Sequence, residues 1–362
     1  MKRKLILSLK ILLTVGFSII ICAGIVLFAT PYGHQLRTIA AETILTSQHR
    51  QYAKLLLLPQ SELDAIVKNI YDPKTINSNE TFSLSQKELE KKKTEPLNIT
   101  IETVKQKFDD HFYEGKLMTI SNPLNVKLVN QQGTQGADVG EKIYVMAQRE
   151  KALAAVNASG FVDETGVGGG SVGIGIVITD GKIINTPKDE NTSTIISGLT
   201  KYGEMITGDY SAKQLIDKGV ESAAGFMPQL IVNGQKMITS GNGGWGYGPR
   251  TIMAQKKDGT LMFLVIDGRQ PHSLGASIKD CQDLLYDRGA YNAMAMDGGA
   301  SSTLYAMGDI INVPATKFKS RYLPNAWVVT ANPKQKVTVT IDGQEQPADK
   351  ISEITGLPAV TK

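Results

Sequence analysis

Three Asx-Gly dipeptides constrain this chain more than any other feature, because each lies between two runs of apolar and β-branched residues. Ile174 to Thr179 and Lys182 to Asn185 flank Asp180-Gly181. Leu230 to Val232 and Gln235 to Ile238 flank Asn233-Gly234, and Thr251 to Gln255 and Thr260 to Ile266 flank Asp258-Gly259. A tight hairpin turn needs positive φ, which Asn or Asp followed by Gly tolerates, so each pair of runs predicts an antiparallel hairpin. Thr303 to Ala306 and Ile310 to Val313 flank Met307-Gly308-Asp309 in a similar way. Ile99 to Val104, Val126 to Val129 and Ala152 to Val156 read as further strands, the last ending at Asn157, and Gly140 to Lys151 reads as a helix.

One helix falls between two of the strands. Ser277-Ile278-Lys279-Asp280 is a capping pattern, Ile278, Cys281, Leu284 and Leu285 form an apolar stripe, and Gly289 fits the stop. Leu261–Ile266, Ile278–Arg288 and Asn292–Met296 therefore form a βαβ unit with parallel strands, which places Asp267 and Asp297 at the carboxyl edge where such units bind ligands. The fold class is α+β: a mixed β-sheet with hairpins and at least one βαβ unit.

Ahead of this lies a membrane segment. Lys2, Arg3 and Lys4 are basic, and Ile11 to Ala29 is apolar and uncharged, close to the roughly 20 residues that span a bilayer as a helix. No Ala-x-Ala cleavage pattern follows, which favours an uncleaved signal anchor with a cytoplasmic N-terminus. Residues 31–97 read as a helical stalk and linker: a helix over Thr43 to Leu58 stopped by Pro59, a second over Glu62 to Ile70 opened by the box Ser61-Glu62-Leu63-Asp64, and a Lys- and Glu-rich linker from Leu84 to Pro96. The folded domain is expected over residues 98–331. A polar tail follows over 332–362, with one strand at Lys336 to Asp342.

Composition narrows the function classes. Across 362 residues the hydrophobic and charged shares, 41% and 20%, are ordinary for a globular protein, and a net charge of +4 with its excess near the N-terminus makes no case for nucleic acid. Two cysteines, Cys22 in the membrane segment and Cys281, exclude a disulfide framework, and four histidines argue against a His-rich zinc site. Gly168-Gly169-Gly170-Ser171-Val172-Gly173 matches G-x-G-x-x-G, but a strand follows it and not a helix, so the dinucleotide context is missing.

Three stretches carry polar chemistry. In Ala293-Met294-Ala295-Met296-Asp297-Gly298-Gly299-Ala300-Ser301-Ser302-Thr303 an apolar strand runs into one carboxylate, two glycines and three hydroxyls. Such glycines let backbone approach a ligand, and hydroxyls can donate to it. Asp267-Gly268-Arg269-Gln270-Pro271-His272-Ser273 gathers a carboxylate, a guanidinium and an imidazole in one loop. Gly241 to Thr251 sets five glycines around Trp245 and Tyr247 and ends in Pro249-Arg250-Thr251. Aromatic faces suit sugar rings and a guanidinium fork suits phosphate. Each has a plainer reading: turn-forming aspartates, arginines in ordinary ion pairs, a surface His272, and a bare strand end at Asn157.

Taken together, these stretches resemble the phosphodiester glycosidase family of the lysosomal uncovering enzyme. Asn157-Ala158-Ser159-Gly160-Phe161 stands where the family has Asn-Gly-Gly-Phe, and Pro249-Arg250-Thr251 matches Pro-Arg-Thr. Ile266-Asp267-Gly268-Arg269 matches Val-Asp-Gly-Arg, and Met296 to Thr303 matches Leu-Asp-Gly-Gly-Gly-Ser-Ser-Thr. Arg321 with Asn325-Ala326-Trp327-Val328-Val329 matches a late Arg before an Asn-Ala-apolar strand. The likeness runs from Val126 to Thr330, and the departures are the small residues Ala158, Ser159 and Ala300. It implies hydrolysis of a sugar-1-phosphodiester at its glycosidic bond, with a sugar-phosphate glycan of the envelope or exopolysaccharide as substrate. Asp297, Asp267 and Arg250 are then the expected catalytic residues. Arg269, Ser301, Ser302, Thr303, Gly298, Gly299, Asn157, Thr251, Trp245, His272 and Arg321 are the expected binding residues. No cofactor is firmly implied; the metal question stays open, with calcium the ion that Asp and carbonyl oxygens suit. A non-catalytic glycan-binding or polysaccharide-assembly protein is the alternative, and a metal-dependent phosphodiesterase is a second. Nothing in the sequence speaks to oligomeric state.

Overall fold

The structure, a computed structural model, describes residues 2–47, 49–79, 84–133, 139–162, 169–333 and 335–358. The chain divides into two compact units, residues 1–71 with 244–246, and the remainder.

The first unit is helical. Lys2–Ala29 is one helix whose Lys10–Ala29 stretch is long and apolar enough to cross a membrane, and none of that stretch is packed inside the protein. Thr30 caps the next helix, Pro31–Leu45, by accepting from Gly33 N, with Pro31 at its first position. The helix ends at Leu45, short of the predicted run to Leu58, because the Thr46 and Ser47 hydroxyls bond back to the Thr43 and Ile44 carbonyls. Arg50–Leu56 then forms a short 3-10 helix. The following helix spans Gln60–Tyr71, so Ser61 lies inside it and is not its cap; the Pro59 carbonyl accepts from Glu62 and Leu63 N–H instead. Ala41, Leu45, Ala53, Leu58, Leu63, Ile66 and Ile70 make its small core, with Trp245 packed against it.

The second unit is built on sheets. Among the described residues a nine-stranded sheet runs, from edge to edge, Gln235–Lys236, Gln229–Val232, Ala290–Met296, Arg250–Lys256, Leu261–Ile266, Phe112–Ile120, Leu97–Lys107, Val337–Ile341 and Gln344–Glu345. All its pairings are antiparallel except Leu97–Lys107 with Val337–Ile341. A five-stranded sheet holds Lys182–Asn185, Val177–Thr179, Val220–Gly225, Ser193–Thr200 and Met205–Ser211. A second holds Asp309–Ile310, Leu304–Ala306, Ala154–Asn157, Asn325–Val329 and Val126–Asn130. One core joins the three, with Phe263, Met294 and Met296 from the first, Val177 and Leu199 from the second, and Val156, Leu304 and Trp327 from the third. Leu261–Ile266 is buried along its whole length, as its unbroken apolar run requires.

The Asx-Gly hairpins form where the dipeptides place them. Asp180, Asn233 and Met307 and the glycine after each adopt positive φ. The same geometry recurs at Asp342-Gly343 and turns Val337–Ile341 into Gln344–Glu345. The βαβ unit takes a split form. Leu261–Ile266 and Ala290–Met296 point the same way with helix Ile278–Asp287 between them in sequence, but Arg250–Lys256 lies between them antiparallel to both. The Lys- and Glu-rich stretch is more than a linker: Ser85 and Glu88 close a reciprocal capping box on helix Gln86–Lys93.

Candidate active site

The split arrangement brings three loops to one sheet edge. Asp267 and Asp297 leave the carboxyl ends of their strands, and Pro249-Arg250-Thr251 enters the strand between them, with Arg250 opposite Ile266 and Thr251 opposite Met296. A neighbouring sheet supplies Asn157 at the end of Ala154–Asn157 and Thr303 at the start of Leu304–Ala306.

Asn157 ties these pieces together. Its Nδ2 donates to the Asp297 carbonyl at 2.6 Å, and its Oδ1 accepts from Thr251 Oγ1 at 2.9 Å and from Thr303 N at 3.1 Å. Asp297 N donates to the Ala158 carbonyl at 2.9 Å. Asn157 is fully buried, so its amide has been spent on backbone and hydroxyl partners and fixes where Asp297 sits.

The glycines act by close approach. Gly299 N donates to the Pro249 carbonyl at 2.9 Å, and Gly299 holds φ +60. A Cβ on Gly268 would stand 2.6 Å from Pro249 N, so a side chain there would push the two loops apart. Arg269, itself at φ +58, brings both terminal guanidinium nitrogens to within 3.7 Å of where a Gly299 Cβ would be. Among the described residues that guanidinium has no hydrogen-bond or ion-pair partner, so a cation stands beside the Asp297 turn.

The two aspartates have different surroundings. The Asp267 carboxylate is buried and engaged: Oδ1 accepts from Asn312 Nδ2 at 2.9 Å and Val313 N at 3.0 Å, and Oδ2 meets His272 Nε2 at 3.1 Å. Asn312 Nδ2 also reaches the Ser302 carbonyl at 3.1 Å, which couples the Asp267 and Asp297 turns. The Asp297 carboxyl is half-buried and pushed up to about 7. Desolvation is the largest cause, opposed by the Ser301 hydroxyl and the Gly298 N–H, both of which favour the charged form. Near neutral pH it holds or releases a proton readily. Asp267→Ala leaves the Asn312 and Val313 donors without their acceptor, and it is expected to cost about 2–4 kcal/mol. Chemical denaturation measures this; Asp267→Asn, which keeps one acceptor oxygen, recovers most of the loss.

The remaining expected residues fall in several places. Ser301, Ser302 and Thr303 are buried on the Asp297 turn, and the Ser302 and Thr303 hydroxyls have no protein partner among the described residues. Arg250 turns to the opposite face from Thr251: its Nε donates to the Ala276 carbonyl at 3.0 Å, and its charge is felt by Cys281 on helix Ile278–Asp287. Strand alternation requires this once Thr251 faces Asn157. Trp245 packs on the helical unit's core, and its ring is used there. Tyr247 donates to Asp110 Oδ2 at 2.6 Å and stacks on His111, whose Nε2 meets Asp280 Oδ2 at 2.9 Å. Arg321 lies over the Phe161 ring at 5.1 Å, on the wall of a cavity lined by none of Asp297, Asp267 or Arg269. Gly168 of the G-x-G-x-x-G stretch lies outside the described residues. Asn312 was not anticipated; a lone amide between Ile311 and Val313 carries no pattern. Among the described residues no three His, Cys, Asp or Glu side chains converge.

An aspartate of near-neutral pKa at a glycine turn, beside a guanidinium and a row of hydroxyls, defines a polar site suited to sugar and phosphate. The phosphodiester glycosidase family matches residues 150–330, half the chain, and the chain belongs to that family. It is 30% identical over 177 residues to the SPbeta prophage-derived uncharacterized protein YomE of Bacillus subtilis. That match covers 48% of this chain and 27% of YomE, so the chain spans about a quarter of that relative's length. The fold is similar to that of the zebrafish N-acetylglucosamine-1-phosphodiester alpha-N-acetylglucosaminidase catalytic domain, which is auto-inhibited by its pro-peptide. The TM-score there is 0.55 at 20% identity, over 71% of this chain and 87% of that one. A hypothetical protein from Synechocystis aligns at TM-score 0.48 and 14% identity, over 63% and 61% of the two chains.

Proposed function

We propose that this protein hydrolyses the glycosidic C–O bond of a sugar-1-phosphodiester in an envelope polymer or exopolysaccharide. It does so outside the membrane, held there by its N-terminal helix with the basic end in the cytoplasm. The observation that carries this reading is the Asp297 carboxyl, poised near neutrality on a turn whose Gly299 lies beside the Arg269 guanidinium. As the anomeric C–O bond breaks, the electron pair leaves with the phosphate, water supplies the hydroxyl at the anomeric carbon, and the products are free sugar and a phosphomonoester. A phosphate is a good leaving group, so a strong acid is not required. Arg269 neutralises the charge that grows on it. Asp297 in its ionised form attacks the anomeric carbon or takes the proton of the attacking water. Asp267 acts through His272 and the Asn312 loop, as a positioning residue.

The test is a panel of hexose- and N-acetylhexosamine-1-phosphodiesters given to the detergent-solubilised full chain, with product analysis. Free sugar plus phosphomonoester supports the reading. Sugar phosphate as product means P–O cleavage and overturns it, and binding without turnover of any panel member leaves the glycan-binding alternative. Within the panel, Arg269→Ala is expected to lower kcat/KM by about 10²–10³-fold, the usual loss for one charge-stabilising donor.

A further inference from the structure

A cavity of about 750 Å³ in the sheet unit has Lys142, Phe318, Lys319, Ser320, Arg321 and Tyr322 in its wall, and Asp297 is not among the residues that line it. Its size fits one or two sugar units. We propose that it binds a phosphorylated saccharide, as the site for a neighbouring repeat of the polymer whose scissile bond lies at Asp297. The second half of that statement rests on the hydrolase reading above.

Three observations carry it. The first is charge. Lys142, Lys319 and Arg321 stand against a single carboxylate, Asp309, in the lining. The Lys142 ammonium lies 4.1 Å from the Tyr322 ring centroid and 6.0 Å from that of Phe318, and it donates to the Ser320 carbonyl. An ammonium has three donors, and among the described residues only that one is used on a hydrogen bond. Burial lowers the Lys142 pKa, so an anion brought beside it would be favoured.

The second is a side chain with nothing to bond. Ser320 is 1% exposed, and among the described residues its hydroxyl has no partner. A buried hydroxyl left unpaired costs free energy, and a phosphate or sugar oxygen would satisfy it. The third is the pairing of rings with cations. Phe318 is 65% exposed and Tyr322 40% exposed, so apolar faces are presented beside the positive charges. Uncharged rings alone would suit many ligands. Rings, ammonium groups and a buried hydroxyl together suit a sugar that carries phosphate.

Connectivity relates the cavity to the aspartates. Asn312 and Val313 bind the Asp267 carboxylate, and the same segment goes on to supply Thr316 and residues 318–322 to the cavity wall. Occupancy here and the geometry of the Asp267 turn therefore share one stretch of chain.

Binding is measured on the full chain in detergent, in an Asp297→Asn background, so that the result does not depend on turnover. The probes are a synthetic tetramer of hexoses joined by 1,6-phosphodiesters, its uncharged counterpart isomaltotetraose, and a single methyl hexose-1-phosphodiester. The Phe318→Ala/Lys319→Ala double variant alters only exposed side chains. It is expected to bind the tetramer about tenfold more weakly, with affinity for the single phosphodiester unchanged. Isomaltotetraose is expected to bind at least about tenfold more weakly than the charged tetramer. An unchanged tetramer affinity in the double variant overturns the proposal, as does equal binding of the uncharged oligomer. Hydrolysis of small phosphodiesters with tetramer binding unaffected sinks this site and leaves the reaction standing. Tetramer binding that responds to the double variant, with no panel member hydrolysed, upholds the site and sinks the reaction.

Discussion

Asp297→Asn lowers turnover by about 10³-fold or more, at the upper end of what a positioned proton-transfer group contributes, while making the folded chain more stable above neutral pH. The sign follows from the raised pKa. In the unfolded chain the carboxyl titrates near 3.8, and in the folded chain near 7. Between these values the folded state holds more protons, so stability falls as pH rises through that window and stays low above it. Removing the charge removes the penalty, worth on the order of 1–2 kcal/mol once solvent at the half-open carboxyl is allowed for. Thermal melts at pH 4 and pH 8 measure this: the variant should gain on the parent only at the higher pH. Equal displacement at both values would mean that burial of charge is not the cause. The same shift gives the parent a kcat/KM that rises with pH through about 7, since the ionised form does the work. A rate that falls through that point would make Asp297 an acid instead.

Asn157→Ala has the second largest effect, and it acts on structure and activity together. Three hydrogen bonds to Asp297, Thr251 and Thr303 disappear in a fully buried place. The stranded partners should cost about 3–5 kcal/mol in all, and the Asp297 turn loses the donor that sets its position. Denaturant melts and kinetics on the same preparation test it. Asn157→Asp should do no better, because a second acceptor would face the Asp297 carbonyl. An Asp variant with parental stability would show that the 2.6 Å contact is not a driving one.

The turns were legible because their chemistry is local. Asp180-Gly181 and Asn233-Gly234 need positive φ whatever surrounds them. Asp342-Gly343 carries the same signal, and Val337–Ile341 alternates strictly between apolar residues and threonines, but its place in the sheet comes from pairing with Leu97–Lys107, a partner far away in sequence. The Ser85/Glu88 box was hidden inside a charge-rich run. Trp245 shows the reverse difficulty: a tryptophan in a glycine loop reads the same whether its ring stacks on a ligand or fills a core. The loops of the site could be placed on one edge from strand ends and motifs. The insertion of Arg250–Lys256 between the two aspartate strands could not, because nothing local orders strands within a sheet. Ranking Asp297 over Asp267 needed the Asn312 and Val313 donors, which lie 45 and 46 residues from Asp267.

The pairing of Leu97–Lys107 with Val337–Ile341 has a consequence for how this protein is made. The first strand of the sheet unit has its second neighbour far downstream in the chain, at Val337–Ile341. Until residue 341 has emerged and, for a chain anchored as proposed, crossed the membrane, Leu97–Lys107 remains an open sheet edge. Such an edge invites pairing with other chains, and contacts of such long sequence separation form slowly. For a chain anchored as proposed, neighbouring copies lie close together while that edge is still unpaired, so the closing strand would guard against association as well as completing the fold.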